Sequence, residues 1–168
     1  MKHHIARSVA LILLSCSGFA AGAQGIQTAA QGGMEPPAAV EAWRVDPTTV
    51  FDASEIDIEA FQWVARPVVI FADAPVVPAF QEQMDLLQRR EDQLATRDVV
   101  VVTDTNPDAM SELRQQLRPR GFMLVLIGKD GEVALRKPFP WDVREITRSI
   151  DKMPMRMQEL REEHGDPR

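Results

Sequence analysis

Three uninterrupted apolar runs of strand length constrain what this chain can fold into. They are Val68–Phe71, Val99–Val102 and Met123–Ile127, and Pro67 precedes the first of them. Runs without polar alternation are typical of strands that are covered on both faces. Segments with helical spacing separate the runs, so the chain must cross the sheet through helices between one strand and the next.

Two helical segments connect the three runs. The first, Ala79–Ala95, carries Phe80, Met84 and Leu87 on one face, which predicts a single buried helix. The second is predicted to begin at Asn106, because Asn is a good N-cap and the proline that follows it suits the first helical position. The residues expected to form its buried face are Met110, Leu113 and Leu117. A helical crossover makes the first two strands parallel.

The rest of the domain predicts a hairpin and further helices. Asp130-Gly131 is a tight-turn signal that leads from the third run into a strand at Val133–Leu135. Asp142 then begins a last helix, and Pro154 breaks or restarts it. The apolar stripe of that helix is Val143, Ile146, Ile150 and Met153, continued by Met157 and Leu160. Charged residues from Glu159 onward are expected to be solvated. The fold class is therefore α/β, a mixed four-stranded sheet with helices on both faces.

Thr49–Ala65 mixes acidic and apolar positions ahead of the first run. Ile58, Phe61, Trp63 and Val64 predict a short amphipathic helix that packs on the domain.

This order of elements resembles that of thioredoxin. More specifically, the chain resembles a bacterial thioredoxin-like domain family of unknown function, which is related to the peroxiredoxin-like domain of sushi-repeat extracellular matrix proteins. The segments that carry the resemblance are Arg66–Ala72, Arg97–Val102, Leu126–Gly131 and Ile150–Arg156. The resemblance implies a thioredoxin-like domain, which we expect at residues 49–163.

The residues needed for thioredoxin's redox chemistry are missing from the expected positions. A dithiol belongs at the start of the first helix, where the helix dipole lowers the pKa of a thiol. That window is Asp73–Pro78, which holds no cysteine, and Met123 stands where the facing cis-proline is expected. We therefore expect neither thiol–disulfide oxidoreductase nor peroxidase activity, whereas another kind of enzyme stays open.

The first 23 residues predict a secretory signal peptide. Lys2 and Arg7 supply a basic start, Val9–Leu14 is apolar, and Ala21-Gly22-Ala23 is a small-residue cleavage site. The apolar run is shorter than the roughly 20 residues that span a bilayer, so no transmembrane helix is expected after signal removal. Alternatively, Leu13–Cys16 resembles the lipobox of bacterial lipoproteins, which would anchor the protein through Cys16. Both interpretations predict a periplasmic or secreted protein.

Composition excludes several kinds of partner. Cys16 is the only cysteine, and three histidines are His3, His4 and His164. Loss of the signal would leave no thiol and one histidine, so no metal site or cofactor is expected. The chain has 25 acidic and 19 basic residues, a balance that argues against nucleic-acid binding. Residues 24–48, rich in Ala, Gln, Gly and Pro, predict a flexible linker or a ragged terminus, and residues 164–168 predict a polar tail.

Four loops are expected to meet at one edge of the sheet and to form a ligand-binding site. The candidate residues are Asp73, Asp104, Arg118, Arg120, Arg136, Lys137 and Trp141. Guanidinium groups recognise carboxylates and an indole offers a stacking face, which suits a small anionic or sugar-like ligand or an acidic envelope protein. The alternative is a surface of local ion pairs, with Phe139 and Trp141 closing the core.

The leading hypothesis is an exported, redox-inactive binding or accessory module of the cell envelope. A second is a hydrolase or transferase that uses Asp73 and Asp104 at the same edge, although such residues are also ordinary turn and cap residues after strands. A third is a copper-handling protein, because Met153, Met155 and Met157 are thioethers that select Cu(I). Core packing explains the spacing better, because Met153 and Met157 share one helix face and continue the apolar stripe, whereas Met155 points elsewhere.

Overall fold

The computed structural model describes residues 36–165. Its helices are α1 (Pro36–Val45), α2 (Pro78–Gln88), α3 (Glu91–Ala95), α4 (Glu112–Leu117), α5 (Val143–Asp151) and α6 (Pro154–Glu163). Its strands are β1 (Val50–Asp52), β2 (Arg66–Phe71), β3 (Val99–Asp104), β4 (Met123–Ile127) and β5 (Val133–Lys137). The predicted signal peptide with Cys16, the first part of the predicted linker and the last three tail residues lie outside the described residues.

The five strands form one mixed sheet in the order β1-β3-β2-β4-β5. β1 and β2 run parallel to β3, whereas β4 is antiparallel to β2 and β5 is antiparallel to β4. The predicted thioredoxin-like α/β fold is confirmed, with its four strands in the expected directions. The short edge strand β1 is an addition, because three residues carry too little pattern to be recognised in sequence.

Each face of the sheet carries its own apolar core, which explains why β2 and β4 read as continuous apolar runs. Alternate residues point to opposite faces of a strand. Val69 and Phe71 of β2 pack with α1 and α4 on one face. Val68 and Ile70 pack with α2, α3 and α5 on the other. Full burial of such a side chain contributes about 1.5–3 kcal/mol, so the sheet is stabilised from both sides.

Helix α1 occupies part of the predicted linker, which is a correction for residues 36–45. Ala39, Val40 and Trp43 of α1 are buried against Phe61, and Trp43 Nε1 donates a hydrogen bond to the Val99 carbonyl (3.2 Å). The Ala- and Pro-rich composition hides this helix, although proline is tolerated in a first helical turn. The folded part of the chain therefore includes residues 36–45, ahead of the boundary predicted at residue 49.

The segment before β2 also differs from the prediction. The segment forms β1 and a 3-10 helix at Ile58–Phe61, in place of the short amphipathic helix expected from Ile58, Phe61, Trp63 and Val64. Phe61 is buried as predicted, but Trp63 is 63% exposed and has a φ of 65°. Asp57 caps the 3-10 helix by accepting from the Glu59 amide, and the helix ends after four residues.

The helices after β2 are shorter than predicted. The single helix expected at Ala79–Ala95 is interrupted between α2 and α3. Ser111, not Asn106, caps α4 through its hydroxyl, while Asn106 makes no side-chain capping bond. Met110 is 58% exposed with a φ of 48°, so its predicted burial is wrong. Leu113 and Leu117 are buried as predicted.

At the C-terminus the apolar stripe ends earlier than expected. Asp142 caps α5, and Val143, Ile146 and Ile150 are buried as predicted. α6 begins at Pro154, and Met157 is 44% exposed. The expectation that charged residues from Glu159 onward are solvated is wrong for Glu159, whose side chain is 20% exposed. The helices between residues 36 and 165 are all too short or too polar to span a bilayer.

Candidate functional site

The four predicted loops meet at one edge of the sheet. Phe71, the last residue of β2, pairs with Asp104 of β3 and with Met123 of β4, and Leu124 pairs with Lys137 of β5. The segments 72–78, 105–111, 118–122 and 138–142, which we call the loop edge, therefore leave or enter neighbouring strands. The register explains this convergence, because β4 is antiparallel and begins where β2 and β3 end.

The first loop holds the position of a thioredoxin dithiol. Asp73 is exposed, and α2 begins at Pro78 after Val77, which provides no side-chain capping bond. A Cβ added at Gly121 would lie 3.9 Å from Asp73 Oδ2, so the loop before β4 approaches this loop closely. The segment offers a carboxylate and prolines where redox enzymes of this fold carry sulfur.

Asp104 is buried and occupied by neighbours within the chain. Arg114 donates to Asp104 Oδ1 from both Nε (3.1 Å) and Nη2 (2.7 Å), and Ser111 Oγ donates to Oδ2. Arg114 Nη2 also donates to the carbonyls of Ala72 (3.0 Å) and Asp104 (3.1 Å), so it joins the residue after β2 and the end of β3 to α4. Both carboxylate oxygens of Asp104 thus accept hydrogen bonds from within the chain. The residue therefore has a structural role beneath the loop edge. Arg114 was not predicted, although its place three residues after the Ser111 cap is a signal that could have found it.

Trp141 is held in place by a buried amide. Gln83 of α2 accepts from the Trp141 amide at 2.7 Å and donates to its carbonyl at 3.1 Å. The Lys137 ammonium lies 4.4 Å from the centroid of the Trp141 ring. Gln83 was also missed by sequence reasoning, yet it lies between Phe80 and Leu87 at helical spacing, which is a core position. These contacts fix an indole and a cation together on the loop edge.

The three arginines of the prediction differ in their roles. Arg118 and Arg120 are exposed, and Arg118 has a φ of 48° as the C-cap of α4. Arg136 donates to the Leu117 carbonyl and so closes the end of the same helix. Phe139 is 53% exposed and does not close the core, whereas Trp141 is half-buried and packs against the core, as the alternative expected for it. Asp73, Arg118, Arg120, Lys137 and Trp141 remain as the predicted residues able to meet a ligand.

A second charged cluster lies at the opposite edge of the sheet, where β2 and β3 begin. We call it the amino-edge network; its members are Arg66, Asp98, Lys129, Arg156 and Glu159. Glu159 Oε1 accepts from Arg66 Nη2 (2.8 Å) and Lys129 Nζ (2.9 Å), and Oε2 accepts from Arg156 Nη1 (3.1 Å). Lys129 also pairs with Asp98 Oδ2 at 2.8 Å. Burial raises the pKa of Glu159, but hydrogen bonds from Lys129, Arg66 and Arg156 outweigh it and lower that pKa from 4.5 to about 2.

Potential metal-binding side chains are scattered over the described part of the chain. Residues 36–165 contain no cluster of three His, Cys, Asp or Glu side chains that could hold a metal ion. Met153 packs against the core beneath α5, Met155 is half-buried and Met157 is exposed. The three thioethers therefore lie in different environments.

The family described as a domain of unknown function (DUF4174) matches residues 57–159, well over half of the chain. This chain belongs to the DUF4174 family. The match spans the strands β2 to β5 and ends at Glu159 of the amino-edge network. No curated protein matches the chain.

Three solved structures similar to this DUF4174 domain are peroxiredoxins of Plasmodium. Prx1a of Plasmodium yoelii, modified at its N-terminus and forming an artifactual octamer, has 17% identity and a TM-score of 0.45 over 66% of this chain and 82% of its own. Thioredoxin peroxidase I of Plasmodium yoelii has 16% identity and a TM-score of 0.45 over the same shares, 66% and 82%. The mitochondrial 2-Cys peroxiredoxin of Plasmodium falciparum has 12% identity and a TM-score of 0.44 over 70% of this chain and 91% of its own.

The four segments that carry the sequence resemblance each contribute a charge at the amino edge of this DUF4174 domain. They supply Arg66, Asp98, Lys129 and Arg156 to the network, and Arg97 and Asp151 form a neighbouring pair at 2.8 Å. The charged positions of the resemblance therefore lie at the edge opposite the one where thioredoxins carry their dithiol.

Proposed function

We propose that this protein is an exported, redox-inactive thioredoxin-like binding module whose loop edge takes an acidic segment of a partner protein in the cell envelope. The observation that carries the proposal is the replacement at the dithiol position. Asp73–Pro78 has no thiol, while the surrounding loops keep Arg118, Arg120 and a fixed Lys137–Trp141 pair. A scaffold retained without its redox groups, but with organised binding groups, favours recognition over catalysis.

Charge and apolar exposure at the loop edge favour a protein segment as the ligand. Arg118 and Arg120 offer fork-shaped donors for carboxylates. Phe139 and Val76, 75% exposed, offer apolar contacts on the same loops. Three surface cavities, of about 260, 410 and 320 Å³, lie away from these loops. A surface with these features suits an extended acidic peptide better than an enclosed small molecule.

Export is part of the proposal because it sets where the partner is found. The basic start, apolar run and Ala21-Gly22-Ala23 support a signal peptide, and the resemblance to a domain of sushi-repeat extracellular matrix proteins agrees with a role outside the cytoplasm. Alkaline phosphatase fused after residue 35 should be active in cells, and Leu11→Arg with Leu13→Arg should abolish that activity. Loss of lipid labelling in Cys16→Ala would identify the lipoprotein form, whereas absence of labelling in the unchanged chain would identify cleavage after Ala23.

Selection from a random peptide library tests the binding role. Peptides retained by the protein should be enriched in Asp and Glu, and Arg120→Ala and Trp141→Ala should each reduce their affinity at least tenfold by calorimetry. Arg148→Ala, at an exposed arginine of α5, is the matched control and should bind normally. Selected peptides without acidic enrichment, or equal binding by all three variants, would exclude the loop edge as an acidic-peptide site.

A further inference from the structure

Helix α6 is attached to the domain mainly through charged groups. Arg156 is its only buried residue, whereas Met157, Gln158 and residues 161–163 are exposed. The polar contacts that bridge to the body of the domain are those of Glu159 with Arg66 and Lys129, and the Arg156 Nη2 bond to the Thr96 carbonyl (3.3 Å). A helix with so little buried apolar surface depends on these pairs for its position.

With α6 in place, Glu159 supplies the anion for two largely buried cations of the body of the domain. Arg66 is 1% exposed, and the side chain of Lys129 is 12% exposed. Asp98 hydrogen-bonds Lys129, but its oxygen lies 3.9 Å from Arg66 Nη1, too far for a hydrogen bond. A buried guanidinium without a carboxylate partner is strongly unfavourable. The position that Glu159 Oε1 occupies is therefore a preformed oxyanion position.

A cavity of about 320 Å³ opens beside this position. Both Arg66 and Lys129 line it, and Ala134, Met153 and Met155 provide apolar walls. Asp130 and Glu132 also line the cavity, so an additional anion would be repelled while Glu159 is present. An anion can enter at no cost in net charge only by taking the place of the Glu159 carboxylate.

We propose that Arg66 and Lys129 form a second binding site, for a small organic carboxylate with an apolar body, which Glu159 fills in the ligand-free protein. The carboxylate of the ligand takes the position of Glu159 between Arg66 and Lys129. Its apolar body fills the cavity beside Ala134 and Met153, and α6, which carries Met155, leaves the domain. The site lies at the amino edge of the sheet and is independent of the loop edge and of its proposed partner.

Carboxylate rescue of a Glu159 variant tests the site. In the full chain, Glu159→Ala should lower Tm, and sodium hexanoate should restore it at a concentration at least tenfold lower than sodium acetate. Sodium chloride at equal ionic strength should not restore it, and adding Lys129→Ala should abolish the rescue. Glu162→Ala, at an exposed carboxylate of the same helix, should show neither the loss nor the rescue.

A measurement on the unaltered protein covers the case in which Glu159→Ala does not fold. Hexanoate should speed hydrogen exchange of α6 amides at least threefold while exchange in β4 stays unchanged. The proposal is overturned if hexanoate rescues no better than chloride, or if it leaves α6 exchange unchanged in the unaltered chain. Equal rescue of Glu159→Ala and Glu162→Ala would also overturn it.

Discussion

Arg114 and Asp104 form a buried ion pair beneath the loop edge, with Arg114 Nη2 2.7 Å from Asp104 Oδ1. Arg114→Met keeps much of the side-chain length but leaves the Asp104 carboxylate without a cation. We expect the free energy of unfolding to fall by about 3–5 kcal/mol, because the remaining charge is uncompensated and buried. Urea denaturation of the variant measures the loss.

Two further variants separate charge from packing at this pair. Asp104→Asn combined with Arg114→Met should recover most of the lost stability, since the asparagine amide is neutral. Arg148→Met, at an exposed pair with Glu145, should cost less than about 1 kcal/mol. Similar losses of stability for Arg114→Met and Arg148→Met would show that the buried pair stabilises the fold no more than the exposed pair does.

The stability of the domain should depend on Glu159 over an acidic pH range. The pKa of Glu159 is lowered from 4.5 to about 2 in the folded protein, so the carboxylate stabilises the fold above pH 4.5. This contribution should be lost as the pH falls from about 4.5 towards 2. The charged groups around Glu159 are Arg66 and Lys129 on the body of the domain and Arg156 on α6. Asp98 and Glu163 are further partners of those cations.

Glu159→Gln should remove this acidic dependence. Above about pH 5.5 the variant should be less stable than the unaltered protein by about 2 kcal/mol, below the full value of the pKa shift because part of the side chain meets water. The two proteins should converge towards pH 2 in guanidinium denaturation. A stability difference that stays constant from pH 6 to pH 2.5, or an equal effect of Glu162→Gln, would contradict the assignment.

Gln83 should control the order of the Trp141 loop. Gln83→Leu keeps the buried volume but removes the partner of both backbone groups of Trp141. Unfolding should become easier by about 1–3 kcal/mol, the usual cost of unpaired polar groups in a partly buried position. Amide exchange at Trp141 should rise, whereas the exposed control Gln81→Leu should change neither quantity.

Trp63 has a left-handed backbone conformation that glycine adopts more easily. Its φ of 65° is strained for a residue with a Cβ, and its side chain is largely exposed. Trp63→Gly should therefore be more stable than Trp63→Ala by about 1 kcal/mol, although glycine is ordinarily the less stable choice. The reverse order in thermal denaturation would show that the backbone at this position relaxes without strain.

The fold was largely predictable because its central strands are buried on both faces. Val68–Phe71 and Met123–Ile127 show this directly as unbroken apolar runs, and Asp130-Gly131 marks the hairpin. α1 was not predictable, since Trp43 and its neighbours stand in a Pro- and Ala-rich stretch without a repeated stripe. Its burial depends on a distant carbonyl, that of Val99, 56 residues away.

The site was predictable as a set of loops but not in its side-chain roles. Strand order alone brought Asp73, Arg120 and Trp141 to one edge. The roles of Asp104 and Gln83 depend on partners that the pattern cannot pair. The burial of Glu159 depends on Arg66, 93 residues earlier in the chain, so a charged helix that reads as solvated became part of a buried network.

The three indoles stand in three different environments, with Trp43 buried, Trp141 half-buried over a cation and Trp63 exposed. The sequence contains no tyrosine, so intrinsic fluorescence comes from these rings without tyrosine transfer. Trp43 should emit at short wavelength until the domain unfolds. The emission of Trp63 should be reduced first by soluble quenchers, and the emission of Trp141 should change when a ligand binds the loop edge. Single Trp→Phe variants would turn one emission spectrum into separate reporters of folding and ligand binding.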